Sequence, residues 1–364
     1  MRRIAFVGNS PVIPFLIERL AAQGSPFSFT FFPEEKELPY FRHRLPELAG
    51  KKISPTDAMV RPDSFYQENN VQICDQKIVR LNPRRKRMTT EDKQSFEFDV
   101  VVFSGVEANG FSDLKGSGKT GVYYARRLAD VNEFVKNAGM TEAIFIQADD
   151  LCGLRTMAAL LDLKREFILV SESDRIFSKI LDEKISGEVR GLLEAAGVRI
   201  FEDNAIAELL GESDAKAVRL KSGKVLAAQA VLFTKGKADV RLLKDMDIEL
   251  TEAGIKVDAG FQSSVEGFFA VDQAVEGGLE AQDYDSHVQL LEEQARIVAG
   301  RILGLEEVGL RAPLPTAALR IGERDIHIIG QTGEGKEAAV AQEEVVLQAA
   351  QEPPVVHADE TINQ

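Results

Sequence analysis

A strand–turn–helix–strand unit occurs twice in this chain, about 140 residues apart, and no other feature narrows its fold as much. The first copy opens with the apolar run Ile4–Val7 and the turn Gly8-Asn9-Ser10-Pro11. Val12–Ala22 then carries apolar residues at helical spacing. A turn at Gln23-Gly24-Ser25-Pro26 leads to a second run, Phe27–Phe32. In the second copy Ala143–Ile146 reads as a strand, Gly153–Leu163 as a helix and Phe167–Val170 as the next strand. A repeated βαβ unit predicts two nucleotide-type α/β domains, each with a parallel sheet, and 364 residues suit two such domains plus a tail.

The remaining pattern supports that division. Asp99–Phe103 is a buried-type strand ending in Ser104-Gly105. Asp182–Ala196 reads as a helix stopped by Gly197, a C-cap glycine. Val198–Phe201, Ala217–Leu220 and Ala230–Phe233 read as short strands, with a hairpin turn at Lys221–Lys224. Ser286–Leu303 is a long amphipathic helix closed by Gly304, and Leu319–Ile329 a hairpin turning at Gly322–Asp325. From Glu334 the chain carries seven acids and one lysine and is expected to be disordered, with Ala341–Ala350 able to form a helix against a partner.

Composition excludes several chemistries. A net charge of −14 argues against nucleic acid as a main partner. The two cysteines, Cys74 and Cys152, are far apart, so there is no C-x-x-C centre, and the four histidines show no ligand spacing. No metal site is expected. No apolar run reaches the roughly eighteen residues of a membrane span, and the N-terminus lacks a secretory apolar core, so a cytoplasmic protein is expected. No Ser/His/Asp or Cys/His set is discernible. Gly116-Ser117-Gly118-Lys119-Thr120 imitates a phosphate loop, but Asp113 stands where its first glycine should be and strand-like residues follow, so it reads as a linker. Pro83-Arg84-Arg85-Lys86-Arg87 reads as a solvated hairpin tip.

Several segments, in order, resemble one family. Pro39-Tyr40-Phe41-Arg42 with Leu45 and Leu48-Ala49-Gly50 is similar to its aromatic-Arg-Leu segment. Asp99–Gly105 is similar to its "D-x-L-V-x-A-T-G" strand, and Leu181–Val198 to its "L-D…L-x-x-x-G-V" helix. Gly254–Asp258 followed by Phe268–Asp272 is similar to its "G-I-x-V-D…Y-A-A-G-D" ending. Over residues 1–333 the chain resembles the FAD-dependent pyridine-nucleotide oxidoreductases, in the branch of rubredoxin, ferredoxin and NADH-nitrite reductases that lacks an active-site disulfide. The resemblance implies an α/β fold of two Rossmann-like FAD/NAD(P)-binding domains, three-layer ββα, with a small C-terminal segment. Residues 1–110 and 237–304 would form the FAD-type domain, 111–236 the NAD(P)-type domain, 305–333 the C-terminal segment and 334–364 the acidic tail. The segment after Gly304 is similar to the piece by which some relatives dimerise, which leaves a homodimer open.

Residue by residue, the resemblance places cofactor binding at Gly8, Asn9, Ser10, Pro11, Glu34, Arg42, Ser104, Gly105 and Asp272, and singles out no catalytic side chain. The glycine fingerprints are eroded. Gly8, Ser10 and Ile13 stand at the three positions of the first G-x-G-x-x-G, where Ile13 would displace the helix or fill cofactor space. Ser10 and the helix N-terminus are expected to remain open to phosphate. Ala148, Asp150 and Gly153 stand in the second fingerprint, with Asp149 beside Asp150; both carboxylates are expected to cap the helix and repel a pyrophosphate. Val271 replaces the last motif's glycine. Glu47 and Arg155 align with a Lys–Glu pair that some relatives carry beside the flavin and would be either a reversed pair or, the reading favoured by the sequence, two unrelated surface residues. Two functions follow. One is a divergent flavoprotein that exchanges electrons with a protein partner, binding FAD weakly or unusually and having lost NAD(P)H use. The other is a cofactor-free pseudoenzyme serving as a binding or assembly subunit.

Overall fold

The computed structural model describes residues 1–24, 27–105, 107–238, 242, 248–251, 254–276, 285–305, 309–311, 315–329 and 339–340. The expected helix at Ala341–Ala350, and all of the acidic tail except 339–340, lie outside them.

Two five-stranded parallel sheets dominate. In the first, the spatial order is Phe268–Ala270, Val100–Phe103, Arg2–Val7, Phe27–Phe32 and Val71–Ile73. In the second it is Arg199–Phe201, Glu166–Val170, Ala143–Gln147, Ala230–Phe233 and Val122–Tyr124. Parallel sheets are covered on both faces, which is why their central strands read as unbroken apolar runs. Alternate residues serve different layers. Ile4, Phe6, Val100 and Val102 pack toward the helices Val12–Ala21 and His287–Leu303. Ala5, Val7, Val101 and Phe103 face the antiparallel meander Ile78–Asn82, Arg87–Thr90 and Ser95–Glu97.

The second domain repeats this plan. Ile144 and Ile146 pack toward Leu128–Asn137, Leu151–Leu160 and Glu183–Ala195. Phe145 packs toward the meander Ile206–Leu210, Ala217–Leu220 and Val225–Ala227. Each domain is thus a ββα sandwich of three layers. Ala230–Phe233, read as one more short strand beside the hairpin, instead pairs inside the parallel sheet.

Three features tie the halves together. The short helix Leu45–Ala49 packs on Leu151–Leu160, so closely that a Cβ on Gly50 would sit 2.4 Å from the Ala159 carbonyl oxygen. Tyr40, Leu45, Leu48 and Ala49 join the second domain's core. The hairpin Thr316–Ile321 and Arg324–Ile329 buries Ala317, Ile321, Ile326 and Ile328 in that same core. No helix among the described residues is long and apolar enough to cross a membrane.

Candidate functional site

The strand order reverses at Arg2–Val7, whose two parallel neighbours lead to opposite edges of the first sheet. A crevice outside the carboxyl ends of strands at such a point is where α/β folds bind ligands. Gly8 ends the central strand with φ +107, and a Cβ there would lie 2.2 Å from Ser104 Oγ. Gly105, at φ +85, lies against Ala274. The residues singled out at Gly8, Ser104, Gly105 and Asp272 therefore converge across adjacent strand ends.

The turn after Gly8 is closed by its own side chains. Asn9 Oδ1 accepts the N–H groups of Glu34 (2.7 Å) and Glu35 (3.1 Å), and Asn9 Nδ2 donates to the Glu37 carbonyl. Ser10 Oγ accepts the Val12 N–H (3.1 Å), and the Ser10 carbonyl accepts that of Ile13 (3.1 Å). Asn9 and Ser10 are only 3% and 1% exposed. Pro11 stands at the N-cap, and Ile13 is fully buried in the core rather than left at the crevice. Against the expectation that this turn stays open to phosphate, Ser10 Oγ already accepts one helical N–H and the Ser10 carbonyl the next.

The second turn is built the same way from different residues. Asp150 is the N-cap of Leu151–Leu160, and its Oδ1 accepts the Gly153 N–H at 2.8 Å. Asp149 does not cap. It reaches the tip of the next strand, where its carboxylate accepts the Ser171 hydroxyl and the Glu172 N–H (2.8 Å). Asn9 and Asp149 occupy equivalent positions and strap the turn to the chain beyond the following strand; Asp150 caps its helix, whereas Ser10, one residue before the N-cap Pro11, accepts the first helical N–H. Gly153 preserves tight packing, since a Cβ there would lie 2.1 Å from Ala148 Cβ. Asp149, Asp150, Glu172, Lys179 and Lys235 line a cleft beside the stacked rings of Phe111 and Phe233.

Burial raises the Asp149 carboxyl above the ordinary range, against the lowering effect of the Ser171 and Glu172 hydrogen bonds. A native pKa above the unfolded one adds stability that is complete below the unfolded pKa and is lost as pH rises through the native pKa. Asp149→Asn will accordingly flatten the fall in stability above about pH 4, where an unfolded aspartate titrates. Urea midpoints measured across a pH series check this; identical slopes in both proteins would show that Asp149 does not carry the effect.

Beside the first turn lies a polar cluster of another kind. Asp272, Gln273 and His287 are 4%, 3% and 6% exposed, yet Asp272 Oδ1, Gln273 Oε1 and His287 Nδ1 have no hydrogen-bond partner among the described residues. His287 Nε2 is 3.2 Å from Asp272 Oδ1 but misaligned for a hydrogen bond. Asp272 is held at φ +55, a left-handed conformation unfavourable for a non-glycine residue, with its N–H on Gln294 Oε1 at 2.8 Å. The helix His287–Leu303 starts with no side-chain cap and no acid in its first turn.

Two sequence-derived assignments land elsewhere. Glu47 pairs locally with Arg44 (3.5 Å), whereas Arg155 pairs with Asp285 (2.7 Å), so the hypothetical Glu47–Arg155 pair does not form. Asp285 also accepts the Ala318 N–H, and its own N–H donates to the Thr316 carbonyl, joining Arg155 to the C-terminal hairpin. Arg42 donates to Glu35 Oε1, to the Tyr40 hydroxyl and to the Arg126 carbonyl; with Glu35 it forms a part-buried network that sequence reasoning missed. An acid shortly before an aromatic-x-Arg segment was the available signal.

Comparison with known proteins agrees with this architecture. The ferredoxin reductase component of chlorobenzene dioxygenase from Cupriavidus sp. (strain PS12) is 24% identical over 83% of this chain and 74% of its own length. The assimilatory nitrate reductase electron transfer subunit of Bacillus subtilis (strain 168) is 22% identical over 92% of this chain, which spans only 43% of that relative. A ferredoxin reductase structure from Rhodopseudomonas palustris superposes with a TM-score of 0.79 at 20% identity, covering 91% of this chain and 83% of that one. Putidaredoxin reductase, solved in covalent complex with putidaredoxin, also gives 0.79, at 16% identity over 91% and 81% of the two chains. The family model for pyridine nucleotide-disulphide oxidoreductases matches residues 16–300, and the chain belongs to that family.

Proposed function

We propose that this chain is a flavin-dependent electron-transfer member of its family, working with a protein partner and impaired in the NAD(P)H half-reaction. The observation that carries the flavin reading is the set of buried atoms Asp272 Oδ1, Gln273 Oε1 and His287 Nδ1, which have no hydrogen bond among the described residues. Buried polar groups without partners are costly and call for a ligand to satisfy them. A bound flavin would supply the one- and two-electron chemistry. The chain's own part is to accept hydroxyl donors at Asp272 and Gln273, to present the positive end of the His287–Leu303 helix to electron-rich atoms, and to keep water from the crevice. The partner reading draws on relatives that are ferredoxin reductases and on a structural neighbour held covalently to its redox partner. Impairment at the second domain follows from Asp149 and Asp150, which occupy the donors and place negative charge where a pyrophosphate would lie.

One observation favours the cofactor-free reading: the N-termini of both fingerprint helices are satisfied by the chain itself. Visible absorbance of the purified protein separates the two. A stoichiometric flavin band is expected. A colourless protein whose unfolding temperature does not shift with FAD, FMN or riboflavin supports the binding-subunit reading instead. NADH added anaerobically to the flavin-loaded protein is expected to leave the band intact, and rapid bleaching would overturn the proposed impairment.

A further inference from the structure

We propose that the flavin suited to this crevice lacks the adenylyl half: the site takes an isoalloxazine–ribityl ligand, riboflavin or FMN, in preference to FAD. This rests on the flavin reading above and comes from a mismatch between the two ends of one crevice.

At the turn, a helix N-terminus normally offers three or four unsatisfied N–H groups, and these make it an anion site. Here the first helical N–H, of Val12, is taken by Ser10 Oγ, and the second, of Ile13, by the Ser10 carbonyl. The third residue is Pro14, which has no N–H, and the N-cap is Pro11, which has none either. The Ser10 N–H points to Ser104 Oγ at 3.4 Å. Asn9 commits both ends of its amide to residues 34–37, the stretch that follows the second strand. The Glu35 carboxylate in that stretch is itself bound by Arg42 and Tyr40. A diphosphate would have to displace bonds already made within the chain.

The neighbouring end is the reverse. Asp272, Gln273 and His287 keep unused acceptor and ring-nitrogen capacity while almost wholly buried, and a helix of 17 residues begins there without a cap. Hydroxyl groups and the polar edge of a heterocycle match that set; a diphosphate is not needed to satisfy it. The second domain closes its own turn in a similar way, with a carboxylate strap and a carboxylate cap.

Titration of the flavin-free full-length chain with riboflavin, FMN and FAD separately, followed by flavin fluorescence, tests this. Riboflavin or FMN is expected to bind at least about tenfold more tightly than FAD, and the order of those two tells whether a terminal phosphate is tolerated. FAD binding as tightly as the smaller flavins, or more so, overturns this inference and leaves the flavin reading standing. No binding by any of the three overturns both. The variant Ser10→Gly, which frees the Val12 N–H, is expected to raise FAD affinity while leaving riboflavin affinity as it was, a cooperative urea transition showing that it stays folded. An unchanged preference would also overturn the inference.

Discussion

Replacing Glu35 with alanine will destabilise the folded chain by about 3 kcal/mol, the lower end of the range for a buried ion pair that loses one member, because this pair is not fully buried. Arg42 Nη2 lies 2.6 Å from Glu35 Oε1, and the two side chains are only 10% and 13% exposed. The Tyr40 hydroxyl donates to Glu35 Oε2 at 2.6 Å and accepts from Arg42 Nη1 at 2.8 Å. Burial, with the neighbouring Glu35 carboxylate adding to it, holds the Tyr40 phenol well above its ordinary pKa, so it stays protonated and continues to donate. In Glu35→Ala the guanidinium stays in a low-dielectric setting without its carboxylate, and Tyr40 loses its acceptor. The double variant Glu35→Leu, Arg42→Met removes both charges and is expected to lose markedly less than Glu35→Ala alone. Urea unfolding of the variants and the resulting mutant cycle measure the difference. A loss below about 1 kcal/mol for Glu35→Ala would place Arg42 among solvent-screened surface pairs and refute the buried-network account.

The same network explains what the sequence could and could not disclose. Arg42 also donates to the Arg126 carbonyl, and the Leu128 N–H to the Tyr40 hydroxyl, so the loop after the second strand is fastened to the start of the second domain. Nothing in local spacing announces a bond between residues 84 or more positions apart. The sheets, by contrast, were legible because a strand covered on both faces must be apolar throughout, as Val100–Phe103 is. Helix ends were legible where a single residue decides them. Asp182 caps the Ile185 N–H, and Gly197 and Gly304 take the left-handed conformation that stops their helices. Adjacent carboxylates at Asp149 and Asp150 looked like two caps, because sequence cannot say which of two neighbours faces the helix and which faces the next strand. The hypothetical Glu47–Arg155 pair is absent for a related reason. Glu47 finds Arg44 within its own turn, and the partner of Arg155 is Asp285, which belongs to no motif. His287 was passed over among scattered histidines; only the fold brings it to Asp272.

Asp149→Gly combined with Asp150→Gly will convert the second cleft into one that binds NADH, with an affinity gain of at least about a hundredfold over the parent. Two negative charges leave the mouth of the Leu151–Leu160 helix, and the Gly153 N–H, now held by Asp150 Oδ1, becomes available. A carboxylate about 4 Å from a phosphate oxygen is opposed by roughly 4 kcal/mol at an effective dielectric near 20, so even partial screening leaves two orders of magnitude. Lys179 and Lys235 then outnumber Glu172 along the cleft, turning its field toward anions. Gly153 already supplies the close helix–strand approach, since any side chain there would collide with Ala148. The stability cost is moderate: glycine at an N-cap loses only a few tenths of a kcal/mol relative to aspartate, and the lost strap to Ser171 and Glu172 about 1 kcal/mol for each of its two bonds. The double variant should therefore still unfold cooperatively, at a lower midpoint than the parent, which excludes collapse as a reason for failure. Titration of both proteins with NADH, followed by calorimetry, decides the matter. If the folded double variant binds no better than the parent, the block lies elsewhere in the cleft, and the assignment of Asp149 and Asp150 as stand-ins for a phosphate is wrong.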